Sequence, residues 1–308
     1  MKISIIIPLL NEKESLPPLM QGIAAVMQKL PHTYEVIFVD DGSTDGSYEV
    51  LCDLHKQYSG TVKVLRFCQN SGKSAALCAG FEKAGGDVFI TMDADLQDDP
   101  VAIPDMLAKI DEGWDVVSGW KKKRFDPVLT KNIPSKFFNW FTSLVSGVKL
   151  HDFNCGFKAY RASAAKSLDI YGERHRYLPA LAHWNGYKVT ETPVPHHARQ
   201  FGKTKFGMGR FFNGPFDLLT IVFLRKYMRN PLHFFGRLGL IFGLAGALVL
   251  TYFGVEWIVT REMHIRPLVL LSMGSIIMGI QFVSIGLLGE MVSHTSAKKN
   301  FTIREYLS

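Results

Sequence analysis

Through the first 120 residues, short aliphatic runs alternate with longer amphipathic stretches. The runs are Ile3–Ile7, Tyr34–Val39, Val62–Phe67, Asp87–Met92 and Asp115–Ser118. They are apolar almost throughout rather than at every second position, which predicts strands buried on both faces. Such strands, separated by helix-length segments, predict βαβ units and an open, doubly wound α/β sheet. Further on, Lys131–Val148 reads as an amphipathic helix rich in Phe and Trp. Gly156–Tyr160 and Tyr187–Val194 read as two more strands, closed off by Pro193 and Pro195.

The last third changes character. Gly209–Arg229 carries Phe211, Phe212, Phe216, Leu219, Val222 and Phe223 ahead of Arg225, Lys226 and Arg229. An apolar face with cationic flanks fits a helix lying in the lipid headgroup layer, with a core helix as the alternative. Pro231 breaks the chain there. Leu238–Val259 then runs for 22 residues with one charge, Glu256, and Pro267–Leu288 for 22 with none. Each run can cross roughly 30 Å of hydrocarbon as a helix; two buried core helices are the alternative. Arg225, Lys226, Arg229 and Arg237 precede the first run and Lys298, Lys299 and Arg304 follow the second, whereas the connecting loop holds only Arg261 and Arg266. This bias predicts a two-span protein of the inner membrane with both chain ends in the cytoplasm. The pairs Gly239/Gly243 and Ser275/Gly279 offer small-residue faces for packing within a chain or between chains. The expected organisation is an α/β domain over 1–208, an interfacial helix over 209–230, a two-helix membrane domain over 231–290 and a cytosolic tail over 291–308.

Composition refines this outline. With 47% hydrophobic and 20% charged residues the chain is not a disordered one. Cys52, Cys68, Cys78 and Cys155 show neither C-x-x-C spacing nor a disulfide framework, so reduced, buried thiols are expected. Met-Lys is followed at once by a strand and a proline, so no signal peptide is expected and the first 200 residues should stay in the cytosol. Thirty-five Lys and Arg against 28 Asp and Glu give a net charge of +7, suited to anionic lipid or nucleotide. No nucleic-acid motif accompanies that charge, and nucleic acid is not an expected partner.

In an open parallel sheet, ligands bind beyond the carboxyl ends of the strands. Four polar clusters fall there: Pro8-Leu9-Leu10-Asn11-Glu12, Asp40-Asp41-Gly42-Ser43-Thr44-Asp45, Asn70-Ser71-Gly72-Lys73, and Asp93-Ala94-Asp95-Leu96-Gln97-Asp98-Asp99-Pro100. Asp93 and Asp95, two residues apart across a strand-end turn, can present hard oxygens to one divalent cation. Mg²⁺ takes few carboxylates and fills its shell with phosphate oxygens and water, so the pair suits a metal bridged to a diphosphate. Asp40 and Asp41 could accept hydrogen bonds from a base or ribose while Ser43 or Thr44 caps the next helix. Neither G-x-G-x-x-G after the first strand nor G-x-x-x-x-G-K-[ST] occurs, which argues against a dinucleotide enzyme or an ATPase.

Together these four clusters resemble those of the family 2 glycosyltransferases, in particular the polyisoprenyl-phosphate glycosyltransferases, the GtrB-like and dolichol-phosphate mannosyltransferase-like branch. The resemblance covers essentially the whole chain. It implies a GT-A fold, a Rossmann-like and mostly parallel catalytic sheet, followed by the interfacial and membrane helices. It implies donor-binding roles for Pro8, Asn11, Glu12, Asp40, Asp41, Asn70, Lys73 and Lys121, and a metal and diphosphate site, for Mg²⁺ or Mn²⁺, at Asp93, Asp95 and Gln97. His151-Asp152-Phe153-Asn154-Cys155-Gly156-Phe157-Lys158 resembles the family's acceptor-side D-x-x-x-G-F-[RK] segment. His197 to Phe206 resembles its H-x-x-R-x-x-G-x-S-K-[YF] element, which brings Arg199, Thr204 and Lys205 to phosphate. Lys131 and Ser135 align with a lipid-phosphate contact. A homo-oligomer, a tetramer, is also implied.

Three positions depart from the family pattern: Leu10 stands where an aromatic residue is common, Lys121 where Arg is common, and Thr204 where Ser is usual. Lys lacks the bidentate fork of Arg, so phosphate recognition through Lys121 is looser. The activity implied is inverting, metal-dependent transfer of a sugar, with a uridine donor preferred, onto undecaprenyl phosphate. A lipid phosphate is already ionised near pH 7, so Asp152 need only orient it. The rival readings are a processive polysaccharide synthase, which usually carries more spans and a Q-x-x-R-W element, and a non-catalytic, membrane-anchored nucleotide-sugar scaffold.

Overall fold

The computed structural model describes residues 1–122, 139–140, 142–144, 146–168, 170, 174–198, 231–261, 267–294 and 303–307. The chain divides into two compact units, Met1–Leu218 with Lys299–Ser308, and Leu219–Lys298.

In the first unit the strands are β1 (Lys2–Leu9), β2 (Thr33–Asp40), β3 (Val62–Phe67), β4 (Val88–Thr91), β5 (Val116–Trp120), β6 (Lys158–Arg161), β7 (Val189–Pro193) and β8 (Ile303–Leu307). The helices are α1 (Leu16–Met27), α2 (Ser47–Gln57), α3 (Lys73–Lys83), α4 (Ile103–Asp111), α5 (Ala162–Lys166) and α6 (Leu178–Trp184). One sheet holds every strand in the order β7-β5-β6-β4-β1-β2-β3-β8. β1 pairs in parallel with both β2 and β4, β2 with β3, and β5 with β7. The chain thus moves outward from β1 to β3, then returns to the other side of β1 with β4. That reversal opens a crevice at the carboxyl ends of β1 and β4, the usual ligand position in such sheets.

Two strands run against the rest. β6 lies antiparallel between β4 and β5 and separates them. β8, from the segment read as a cytosolic tail, pairs antiparallel with β3 and covers that edge. The apolar runs are buried on both faces, as their composition demands. Ile3, Ile5 and Ile7 pack with α1, α2 and α4 in one core cluster. On the opposite face Phe89 of β4 meets Phe81 of α3, with ring centroids 5.8 Å apart.

At the amino end of the sheet sits a buried carboxylate, Glu35. Ser4 Oγ donates to it at 2.6 Å and the Gly85 N–H at 2.8 Å, while Lys2 and Lys63 stand 2.9 and 3.1 Å away. Burial pushes this carboxyl up, but the hydrogen bonds and the two ammonium groups outweigh burial and hold it at about 2.

The second unit contains α7 (Pro231–Thr260) and α8 (Pro267–His294). Pro231 begins the first of these helices rather than breaking the chain seven residues ahead of it; the ring is pre-set for a first-turn position, where no N–H is needed. Large apolar side chains such as Leu240, Ile241, Leu244 and Leu248 are exposed, and small residues face the partner helix. A Cβ built on Gly239 would lie 2.6 Å from the Gly279 carbonyl oxygen, and one on Gly246 2.5 Å from that of Ser272. Ser275 Oγ donates to the Phe242 carbonyl at 2.8 Å. The small-residue faces therefore meet within one chain.

All four cysteines are free. Only Cys155 is buried; Cys52 and Cys78 are half-buried and Cys68 is exposed, so the expectation of buried thiols holds at one position. Cys68 directly follows β3, where the chain leaves the sheet for the surface.

Candidate active site

Three strand ends are bonded into one wall. After β1 the backbone of Asn11 turns through φ 53°, a left-handed conformation that Asn tolerates better than most residues. Its N–H donates to Ser43 Oγ at 2.9 Å, and its side-chain oxygen accepts from the Thr44 N–H at 2.8 Å. The Glu12 N–H donates to Ser47 Oγ at 3.0 Å. Gly42 joins this wall to the loop after β3. It has φ +80°, and a Cβ there would sit 2.9 Å from the Gln69 backbone, so both the turn and the approach require glycine.

The acidic pair at the end of β2 is held largely by its own surroundings. Asp40, fully buried, accepts from the Ser43 N–H at 2.8 Å, with Arg66 Nε 3.8 Å from its other oxygen. Asp41 accepts from the Ser71 and Gly72 N–H groups at 2.6 and 2.9 Å. Burial raises its carboxyl above the ordinary range, with Asp40 adding to the rise against those two hydrogen bonds. Asn70 accepts from the Gly72 N–H at 3.1 Å, and Pro8 lies in β1 opposite Val39.

The loop pinned by Asp41 leads directly into Lys73, the first residue of α3, whose ammonium lies 2.5 Å from Asp93 Oδ1. Asp93 follows the end of β4, and both side chains keep about a third of their surface exposed. Burial pushes the Asp93 carboxyl up, but Lys73 first, then Lys121 and Lys158, hold it at about 2. Its back rests on Gly156, where a Cβ would come within 2.5 Å of the carboxylate. Gly156 is fixed in turn by Thr91 Oγ1, which donates to its carbonyl at 2.8 Å.

The remainder of the acidic string is differently employed. Asp95 Oδ1 accepts from the Gln97 N–H at 3.2 Å across Leu96, which has φ 60°. Asp98 is buried and 2.9 Å from the Lys121 ammonium. Burial alone would lower that ammonium's pKa; Asp98, and less strongly Asp93, raise it instead. The His197 N–H donates to the Gln97 carbonyl at 2.9 Å, and His197 Nε2 lies 2.9 Å from Asp99. Asp98 and Asp99 therefore anchor the turn that carries Asp93 and Asp95, and they tie it to the start of the basic element.

In the segment expected to face the acceptor, Asp152 is buried and accepts from the Asn154 N–H at 3.1 Å. Lys158, a buried cation in β6, donates to the Cys155 carbonyl, and burial lowers its pKa. The Cys155 thiol is pushed up to about 12, chiefly by burial, and is not a nucleophile. His175 was not singled out from the sequence. It contacts Ser74 Oγ through Nδ1 at 3.0 Å, and burial with Lys73, Arg176 and Lys158 pushes it down to about 3. No local pattern marks it, because its partner is 101 residues away. Lys131, Ser135, Arg199, Thr204 and Lys205 lie outside the described residues, as do the helix expected over 209–230 and the first part of that expected over Lys131–Val148. Residues 139–140, 142–144 and 146 of the latter are helical.

The described residues contain no group of three or more His, Cys, Asp or Glu able to enclose a metal. What they do offer at Asp93 and Asp95 is a pair of hard-oxygen side chains at an open strand end, the first held ionised. That donor set fits a Mg²⁺ or Mn²⁺ ion that completes its shell with phosphate and water.

An open, mostly parallel sheet with carboxylates gathered at its switch point is the GT-A architecture. The family model for glycosyl transferase family 2 matches residues 4–169. The chain belongs to that family, and its full-length relatives set it among the polyprenyl-phosphate glycosyltransferases. It is 36% identical to the dodecaprenyl-phosphate galacturonate synthase of Rhizobium johnstonii over 99% of this chain and 93% of the relative. It is 34% identical to the undecaprenyl-phosphate 4-deoxy-4-formamido-L-arabinose transferase of Klebsiella pneumoniae, over 94% and 88%. Among solved structures, glucosyl-3-phosphoglycerate synthase from Mycobacterium tuberculosis, in complex with Mn²⁺ and uridine-diphosphate-glucose, shares the fold. Its TM-score is 0.56 at 15% identity, over 73% of this chain and 78% of that one.

Proposed function

We propose that this enzyme transfers a sugar from a nucleoside diphosphate, preferably uridine diphosphate, to a membrane polyprenyl phosphate such as undecaprenyl phosphate, with inversion at the anomeric carbon. The observation that carries the reading is the Lys73–Asp93 pair at the switch point, in a chain related along its whole length to transferases that act on polyprenyl phosphates. Asp93 and Asp95, with the Gln97 turn, hold a divalent ion. When bound, that ion supplies Lewis-acid stabilisation to the departing diphosphate. Pro8, Asn11, Glu12, Asp40, Asp41 and Asn70 form the nucleotide pocket. Lys73 and Lys121 surround the diphosphate with positive charge.

The acceptor needs no general base, because a phosphate monoester already carries its negative charge near neutral pH. Asp152, buried and bonded to its own loop, orients rather than deprotonates. Arg199, Thr204, Lys205, Lys131 and Ser135 meet the lipid phosphate. A single displacement by that oxygen inverts the sugar.

The second unit explains the choice of acceptor. At 1.5 Å per residue, each of α7 and α8 exceeds the roughly 30 Å hydrocarbon thickness, so the pair crosses the bilayer twice. Since β8 follows α8 and joins the catalytic sheet, chain end and active site share one face of the membrane. The excess of Lys and Arg flanking the spans makes that face cytoplasmic. Exposed Trp140 and Leu144, four residues apart, suit contact with the headgroup layer, as does the amphipathic stretch 209–230. A tetramer remains part of the proposal.

The test uses purified full-length protein in detergent, undecaprenyl phosphate and a panel of radiolabelled nucleotide sugars, with and without EDTA. The expected result is one labelled lipid-phosphate sugar whose formation stops on chelation and resumes with Mn²⁺. Polymer formed without lipid phosphate, or no transfer from any donor, overturns the proposal.

A further inference from the structure

Lys73 deserves a role beyond phosphate contact. Its ammonium lies 2.5 Å from Asp93 Oδ1, closer than an ordinary charge-assisted hydrogen bond. A divalent ion bound to the same carboxylate, roughly 2.0–2.1 Å from its oxygen, stands within a few ångströms of that ammonium and is repelled by it. Asp93 has little room to shift toward Gly156, where a Cβ would lie 2.5 and 2.6 Å from its two oxygens. The main chain of Lys73 cannot retreat either: the two residues before it are held by Asp41, at 2.6 and 2.9 Å. Only the four-carbon stem of the side chain, about a third exposed, is free to swing.

The surrounding charge acts in the same direction. Lys121 and Lys158 add to the field that holds Asp93 ionised, so a bare divalent cation approaches a site already rich in ammonium groups. A cation that arrives on a diphosphate meets a different balance: the phosphate oxygens offer Lys73 a new anionic partner as it leaves Asp93.

We propose that Lys73 is a positioning residue that makes metal uptake depend on the nucleotide: its ammonium holds the place of the divalent ion on Asp93 and yields it only when a diphosphate arrives to receive that ammonium. Metal and nucleotide therefore load together. By linkage, the factor by which the nucleotide raises metal affinity equals the factor by which the metal raises nucleotide affinity. The inference rests on the metal reading above and specifies how that site is filled.

The experiment measures Mn²⁺ binding to full-length protein in detergent by electron paramagnetic resonance of free Mn²⁺, with and without UDP. For the wild type, UDP is expected to raise Mn²⁺ affinity at least about tenfold. Lys73→Met is expected to bind Mn²⁺ alone about tenfold more tightly than wild type, with Lys73→Arg unchanged. The gain should vanish in the double variant Lys73→Met/Asp93→Asn, which shows that it acts through that carboxylate. No gain in Lys73→Met, while the wild type still binds Mn²⁺ with UDP, overturns the role of Lys73 and leaves the metal site standing. Failure of the wild type to bind Mn²⁺ even with UDP overturns both. If Lys73→Met does not fold, the wild type alone decides, since Mn²⁺ binding equally tight with and without UDP refutes the dependence.

Discussion

Two carboxylates at opposite ends of one sheet, Glu35 and Asp93, are both held at about 2 by nearby lysines. Their surroundings differ in one decisive respect. Glu35 is 3% exposed and its two oxygens are shared among Ser4, Gly85, Lys2 and Lys63. Asp93 is 31% exposed, with the Lys73 ammonium at 2.5 Å from one of its oxygens. On the proposed function, an equally perturbed pKa marks a structural tie at the amino end and a binding position at the carboxyl end. The perturbation alone does not tell function from architecture; solvent access separates the two acids.

The comparison breaks most sharply on substitution. Asp93→Asn is expected to lower kcat/KM for transfer by about 10²–10³-fold, the range for loss of one group that stabilises transition-state charge. Its thermal melting in detergent should fall by less than that of Glu35→Gln, because the Asp93 side chain is 31% exposed. Glu35→Gln should do the reverse: kcat/KM is unchanged while stability falls by about 1–3 kcal/mol, read as a lower melting temperature. If Glu35→Gln loses activity without loss of stability, the division between the two ends is wrong.

Acid sharpens the same contrast. The folded carboxyl of Glu35 lies at about 2, below its ordinary value of 4.5, so the folded state binds fewer protons than the unfolded one between those values. Its contribution to stability is complete above about pH 4.5 and is lost as pH falls toward 2. The stability gap between wild type and Glu35→Gln should accordingly be constant from pH 7 to pH 5 and close below pH 4, as followed by urea unfolding in detergent.

The smallest expected effect concerns the wall behind Asp93. A Cβ at Gly156 would come within 2.5 Å of its carboxylate, so Gly156→Ala must displace the acid or the loop. Overpacking of this kind costs about 1–3 kcal/mol. Part of that strain should fall on the site, lowering kcat/KM about tenfold with the helical content of the circular dichroism spectrum preserved. Wild-type kinetics in Gly156→Ala would remove the glycine from the site.

Much of this molecule is written locally. A parallel strand buried on two faces needs an unbroken aliphatic run, and such runs announced β1 to β5 within a few residues. The polar residues that end those runs must then lie at the carboxyl edge, which is why Asn11, Asp40, Asp41, Asn70, Lys73, Asp93 and Asp95 could be named before any coordinates. The two apolar helices followed from length and composition alone. The antiparallel direction of β6 and the pairing of β8 had no such signal, since a four- or five-residue strand carries no mark of its neighbour's direction.

Amino-acid order by itself determined which segments are buried, which end of the sheet is acidic and which helices suit a bilayer, because burial and charge are properties of individual side chains and their spacing. Tertiary structure alone decided that Lys73 sits on Asp93, that Gly156 backs it, that Asp98 and Asp99 hold the turn, and that His175 bonds to Ser74. Those contacts join residues 20 to 101 positions apart. At such separations partner choice is set by how strands and helices pack, and no local period records it.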